Sequence, residues 1–351
     1  MEVGIVGIGA WGANYVRVFG EIPEVTEIHC FDLNRMRLGE LERQWKKVKV
    51  SNSLRDIWHN PQISLVVIAT PARFHYSQVR EALLNRKHVL VEKPFANNYQ
   101  EARKLFDIAA QRGVVLRVGH IMLHNPAYKK LKEVVVSGDL GCLSYLRFER
   151  THLGVVREDV DILDDLGPHD LSMLLDLTGE CPDEVWAKGM GVVGQKGLDS
   201  VIMMLLFRSG LYAYLYFSWL EPLKVRKCVV VGNKKMAVFD DMEPTHKVRV
   251  YDYEVTQNFQ KQPGRFYYSC GNIICPFVDW KEPLKEQCLD VLQAINSGKT
   301  YNPELPLMVQ AVMDGARYSL VRGGQGVDIR CLLNDAAAET SEQQKRVCAD
   351  E

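Results

Sequence analysis

Several things are missing from this chain, and each absence removes a class of function. No apolar run approaches the length of a bilayer-spanning helix, which needs about 20 residues. Met1 and Glu2 lead straight into an apolar segment, without the basic stretch and apolar core of a secretory leader. The nine cysteines are odd in number and scattered, and none forms a C-x-x-C. Cys270 and Cys275 lie close together in sequence but have no partner ligands nearby, so no metal site is expected. Reduced, structural thiols in a cytoplasmic protein are the expectation. Lysine and arginine total 43 against 44 acidic residues, a net charge of −1. No whole-chain field therefore recruits nucleic acid or an anionic membrane. Internal repeats are absent. What remains is an ordinary globular composition, 47% apolar and 25% charged, over 351 residues. That length suits two domains with sizeable cores.

The run Gly4-Ile5-Val6-Gly7-Ile8-Gly9-Ala10-Trp11-Gly12 carries the most information. It reads G-x-G-x-x-G at Gly7, Gly9 and Gly12, behind an apolar strand and ahead of a helical pattern. Asp32 lies 20 residues past Gly12, at the end of a second apolar strand, Ile28–Phe31. In this arrangement Gly7 permits a tight turn, Gly9 admits a pyrophosphate, and Gly12 lets the helix approach the strand. The pyrophosphate meets unpaired N–H groups at the helix start. Asp32 can accept both hydroxyls of an adenosine ribose, and it would repel a 2′-phosphate. NAD is expected over NADP, with Arg35 as the one nearby residue able to rescue the phosphate. Ala10 and Trp11 belong to the same loop; Trp11 either covers the pyrophosphate or simply packs.

Over residues 1–120 apolar strands alternate with amphipathic helices. Strands are expected at Val3–Val6, Ile28–Phe31, Lys47–Val50, Ser64–Ala69, His88–Val91 and Val114–Val118. Helices are expected at Arg35–Trp45, His75–Asn85 and Tyr99–Arg112. Continuous apolar strands imply burial on both faces, hence a doubly wound parallel sheet, an α/β Rossmann domain. Ligands in such sheets bind beyond the carboxyl ends of the strands, where Thr70, Pro71, Glu92, Lys93 and His120 fall. From residue 121 to about 330 the pattern changes to longer strands with few helices. The expectation is an α+β domain built on a large, mostly antiparallel open sheet that binds substrate and forms oligomers. Residues 335–351 read as a flexible tail. The apolar strands Val201–Phe207 and Leu211–Trp219 imply a covered sheet face, and so a homodimer or homotetramer.

Further landmarks are Ala69-Thr70-Pro71 with His75, Glu92-Lys93-Pro94, Gly119-His120, and Asp165-x-Gly167-x-His169-Asp170. With the glycine fingerprint, they make residues 1–330 resemble the Gfo/Idh/MocA family of oxidoreductases. Gly119-His120 with Asn125-Pro126-Ala127, the stretch Trp219–Arg226 and Asp279-Trp280-x-Glu282-Pro283-Leu284 resemble the branch containing UDP-N-acetylglucosamine 3-dehydrogenases. Leu123-His124 departs from that branch's usual Arg-Phe. The resemblance implies reversible, NAD-dependent oxidation of a secondary sugar hydroxyl. Lys93 would stand near the nicotinamide and the reacting hydroxyl, and His169 would take the hydroxyl proton, although the two roles can be exchanged. His169 is placed in the first turn of a helix running Pro168–Leu177. Asp165 and Asp170 would orient His169 or hold a sugar hydroxyl, unless they only cap that helix. His75, Glu92 and His120 would line the cofactor, and Asn125 the substrate. A cis Lys93–Pro94 bond is expected.

The substrate implied is a nucleotide-linked sugar, oxidised at C3 of a UDP-N-acetylhexosamine or its uronic acid. Two alternatives stay open: a dehydrogenase of a free cyclitol or aldose, and a dinucleotide-sensing regulatory protein without turnover. Lys224 and Arg226 either meet a diphosphate or are solvated strand cations.

Overall fold

The computed structural model describes residues 1–153, 160–193, 197–257, 266–298 and 302–333. The expected tail at 335–351 lies outside them. The chain divides into two compact units, the first made of residues 1–124 with 281–310, the second of 125–280 with 311–351.

The first unit alternates β1 (Glu2–Val6), α1 (Ala10–Glu21), β2 (Glu27–Phe31), α2 (Arg35–Gln44), β3 (Val48–Val50), α3 (Leu54–His59), β4 (Ile63–Ile68), α4 (His75–Leu84), β5 (His88–Val91), α5 (Tyr99–Arg112) and β6 (Leu116–Val118). The strands form one parallel sheet in the order β3-β2-β1-β4-β5-β6, the Rossmann order. Val3, Ile5, Leu65, Val67 and Leu90 are fully buried, as a sheet covered on both faces requires. Helix starts are set by capping side chains: Asn34 on α2, Asn98 on α5, and a reciprocal Ser53/Asp56 capping box on α3. The short α3 escapes periodicity because six residues make less than two turns. Gly113 closes α5 with a left-handed backbone.

In the second unit come α6 (Pro126–Val136), β7 (Leu143–Thr151), α7 (Ile162–Thr178), β8 (Glu184–Met190), β9 (Ser200–Leu206), β10 (Tyr212–Ser218), β11 (Val225–Gly232), β12 (Lys235–Asp240), β13 (Val248–Gln257) and β14 (Phe266–Ile274). Helix α8 (Pro283–Ser297) returns to the first unit, followed by α9 (Glu304–Val321) and β15 (Val327–Asp328). Among the described residues the second sheet has nine strands, ordered β14-β13-β12-β11-β7-β10-β9-β8-β15. Its pairings are antiparallel except β7 with β10, which run parallel. Alternation sets the faces. Val201, Met203, Leu205, Ala213, Leu215 and Phe217 are buried, and α7 packs on strands β7, β9 and β10. On the other face Ile202 is 56% exposed and Tyr212 40%.

Helix α7 differs from the sequence expectation. It begins at Ile162, where the Asp161 side chain accepts the Asp164 N–H, and it ends at Gly179. Pro168 therefore lies inside the helix rather than at its first position. Pro168 has no N–H to give the Asp164 carbonyl, a loss the surrounding packing must offset. His169 is the eighth residue of α7 rather than in its first turn, so it lies beyond the reach of the helix dipole at that end.

Segment 281–298 joins the first unit through α8. Leu284, Cys288, Val291 and Leu292 sit in one core with Tyr15, Val16 and Phe19 of α1. Each such apolar side chain contributes about 1.5–3 kcal/mol when fully buried. Among the described residues no helix is long and apolar enough to cross a membrane.

Candidate active site

The glycine loop follows from close contacts. Gly7 has φ of +88°, and a Cβ there would stand 2.7 Å from the Thr70 backbone nitrogen. A Cβ on Gly12 would collide with the Gly7 carbonyl. At Gly9 a Cβ would have no atom within 4 Å, so the loop leaves open room there. Gly9 is also the N-cap of α1 and offers no capping side chain. The first N–H groups of α1 therefore face that room without a side-chain acceptor, as an anion site demands.

Asp32 braces the same loop. Its Oδ2 accepts the Ile8 N–H at 2.6 Å, and its Oδ1 accepts the Asn34 N–H at 2.7 Å. Arg35 is turned away, giving Nη1 to the Ser51 carbonyl at 3.3 Å and Nη2 to the Asn52 carbonyl at 2.8 Å. Trp11 is exposed at the start of α1, directly after Ala10.

Thr70, Pro71, Glu92, Lys93 and His120 follow the carboxyl ends of β4, β5 and β6. Thr70 donates its hydroxyl to Gln78 Oε1 at 2.7 Å. His75 is buried, with Nε2 at 2.7 Å from the Thr70 carbonyl and Nδ1 at 2.7 Å from the Pro94 carbonyl. It ties the loop after β4 to the loop after β5. A neutral imidazole has one N–H, so both carbonyls are served at once only by the imidazolium. Burial opposes that state, pushing the His75 pKa down with some help from Lys93, while the carbonyls pull it up. The Lys93–Pro94 bond is cis.

Glu92 is half-buried, and loss of solvent pushes its carboxyl pKa up, while Tyr15 and Lys93 work against the rise. Tyr15 donates its hydroxyl to Glu92 Oε1 at 2.7 Å and accepts Gln287 Nε2 at 2.9 Å. Sequence reasoning missed both partners, because a tyrosine and a glutamine on amphipathic helices carry no motif. His120 is buried, and burial, His124 and Lys93 push its pKa down to about 4. Neither of its ring nitrogens has a hydrogen-bond partner among the described residues. The open room at Gly9, the uncapped helix start and this buried imidazole fit a dinucleotide bound along the sheet's carboxyl edge.

In the second unit, Asp165 and His169 stand one turn apart on α7, half-buried on the same helix face. Arg317 of α9 secures the first turn, pairing with Asp164 and, at 3.0 Å, with Asp314. His152, another residue missed in the sequence, has Asp165, Lys224, Arg226 and Arg150 as charged neighbours. Its pKa is lowered by burial first and then by Arg226, with Asp165 opposing. Two expected substrate ligands are engaged elsewhere. Asp170 is buried against Arg150, whose Nε lies 3.0 Å from Asp170 Oδ1. Asn125 caps α6, its Oδ1 accepting the Ala127 N–H at 2.9 Å while its Nδ2 donates to Asp241 at 3.2 Å. Glu2, Glu27 and His29 cluster at the start of β1 and on β2, with His29 Nε2 2.8 Å from Glu2 Oε2.

Residues 1–120 match the oxidoreductase family model described as an NAD-binding Rossmann fold, and residues 128–238 match the GFO/IDH/MocA C-terminal domain. The chain is 28% identical over 246 residues to UDP-N-acetylglucosamine 3-dehydrogenase of Acidithiobacillus ferrooxidans, covering 70% of this chain and 75% of that protein. The solved structure of that enzyme superposes with a TM-score of 0.76 at 23% identity, over 93% of this chain and 99% of that one. Myo-inositol 2-dehydrogenase of Thermotoga maritima is 26% identical over 60% of this chain and 66% of its own length. GenD2, from gentamicin A biosynthesis and solved in complex with NAD, superposes with a TM-score of 0.77 at 22% identity, over 93% and 96% of the two chains. With both domain models matched in order, the chain belongs to the Gfo/Idh/MocA oxidoreductase family.

Proposed function

We propose that this oxidoreductase uses NAD to oxidise, reversibly, a secondary hydroxyl of a nucleotide-linked sugar. The position oxidised is C3 of a UDP-N-acetylhexosamine or its uronic acid. The observation that carries the chemistry is the Asp165–His169 pair on one face of α7, in a family whose first domain binds NAD. The likeness to UDP-N-acetylglucosamine 3-dehydrogenase supports the choice of sugar.

Bound NAD would supply the hydride acceptor. Lys93 polarises the hydroxyl oxygen, and His169 accepts its proton, with Asp165 orienting the ring. The carbinol carbon gives up a hydride and the oxygen a proton, leaving a ketone. Gly9 and the start of α1 would hold the pyrophosphate, and Asp32 would take the adenosine ribose hydroxyls. NAD is preferred to NADP because the Asp32 carboxylate repels a 2′-phosphate, and Arg35 is committed to the Ser51 and Asn52 carbonyls. The exposed apolar face carrying Ile202 and Tyr212 supports a homodimer or homotetramer, which light scattering tests against a monomer.

The deciding experiment incubates the pure protein with NAD and a panel of UDP-sugars and follows NADH by near-ultraviolet absorbance. Turnover confined to free polyols would favour the inositol-type reading that the Thermotoga maritima relative supports.

A further inference from the structure

We propose that Tyr15, supported by Gln287, is a positioning residue for Lys93 and acts through the Glu92 carboxylate. The idea rests on the reading that Lys93 serves the reaction, and it concerns three side chains brought together from α1, the loop after β5, and α8.

The direction of donation is determined by chemistry. A carboxylate can only accept, and Tyr15 has one hydroxyl proton, placed 2.7 Å from Glu92 Oε1. The phenol oxygen must then accept, and Gln287 presents its amide nitrogen to it at 2.9 Å. Donation therefore runs from Gln287 to Tyr15 to Glu92, and each bond polarises the next. Tyr15 and Gln287 are both buried, so water does not compete for these bonds.

Glu92 is confined on its other sides as well. Its carboxylate takes a bond from the backbone N–H of Lys93 and sits in the field of that lysine. Across from it, Gly119 leaves the space that a side chain would take: a Cβ there would lie 3.2 Å from Glu92 Oε1 and 3.3 Å from Oε2. The carboxylate is thus a wedge that grips the Lys93 peptide, and Tyr15 keeps it both ionised and aimed. The same helix that would offer its first N–H groups to the dinucleotide carries Tyr15 on its buried side. Cofactor and lysine are in this way registered to one element.

A tyrosine that merely filled the core would leave Glu92's proton equilibrium alone, and that difference supplies the test. Full-length protein labelled with 13C at glutamate carboxyl carbons is titrated by NMR, with Glu92→Gln assigning the resonance. Tyr15→Phe removes the bond that favours the carboxylate, so Glu92 should take up its proton at a pH higher by about one unit or more. Gln287→Met should move it the same way by less, and it carries the test if Tyr15→Phe fails to fold. Turnover of UDP-N-acetylglucosamine with NAD should then show its acid limb displaced upward in the Tyr15→Phe protein. An unmoved Glu92 titration in both variants overturns the proposal, as does an activity loss equal at every pH. Absence of any turnover in the wild type counts against the proposed reaction instead, and the carboxyl titration still decides whether Tyr15 governs Glu92.

Discussion

Asp32 Oδ2 holds the Ile8 backbone N–H at 2.6 Å, so the residue proposed to select the ribose also shapes the glycine loop. Asp32→Ala removes this bond and the one to the Asn34 N–H at 2.7 Å. Hydrogen bonds to a charged group contribute about 1.5–3 kcal/mol each. NAD affinity should fall by about tenfold to a hundredfold, measured by isothermal titration calorimetry. An unchanged dissociation constant would remove Asp32 from the site.

Lys93→Ala and His169→Ala should each lower turnover by about two to four orders of magnitude, the usual worth of a positioned acid or base. NAD binding should persist in both. Retained turnover in either variant removes that residue's assigned role.

The Arg150–Asp170 pair is buried, its side chains 5% and 3% exposed. Asp170→Ala leaves a guanidinium without its counterion in the core of the second unit. Breaking such a pair costs about 3–5 kcal/mol. Urea unfolding should show that loss, and substitution of both residues by apolar ones of similar volume should recover much of it.

His120 predicts a dependence of stability on pH. Its folded pKa of about 4 lies below the ordinary 6.5. The unfolded chain therefore binds a proton that the folded protein resists between those values. No penalty exists above pH 6.5; it grows as pH falls and levels off below about 4, at about 3 kcal/mol. His75, lowered by burial, acts in the same direction. Unfolding free energies at pH 7 and pH 5 should differ less in His120→Phe than in the wild type. An identical difference would place the imidazole in water.

Most of the first unit was legible because buried parallel strands leave continuous apolar runs. Strand His88–Val91 and helix Tyr99–Arg112 have the expected bounds. The glycine loop was legible too, since its three glycines answer to contacts that any sequence in that geometry must obey. What escaped had no local signature. Pro168 suggested a helix start, but the true cap is Asp161, a full seven residues earlier. Strand β13 interleaves Arg249 and Asp252 with its apolar residues, which hides its alternation. Asp170 and Asn125 looked like ligands, but Arg150 and the start of α6 claim them, partners set by tertiary contact. Tyr15 and Gln287 are 272 positions apart, and only the folded chain pairs them.

The chain enters the first unit twice, and this limits how the protein can be divided. A recombinant fragment ending near residue 124 would lack Leu284, Cys288 and Val291 and would present the α1 surface of Tyr15 and Phe19 to solvent. Such a fragment should be sticky and poorly behaved, whereas splicing 281–310 back through a short linker should yield a well-behaved nucleotide-binding module. Ribosomal synthesis imposes the same order: the first unit waits for α8 until residues 125–280 have been translated.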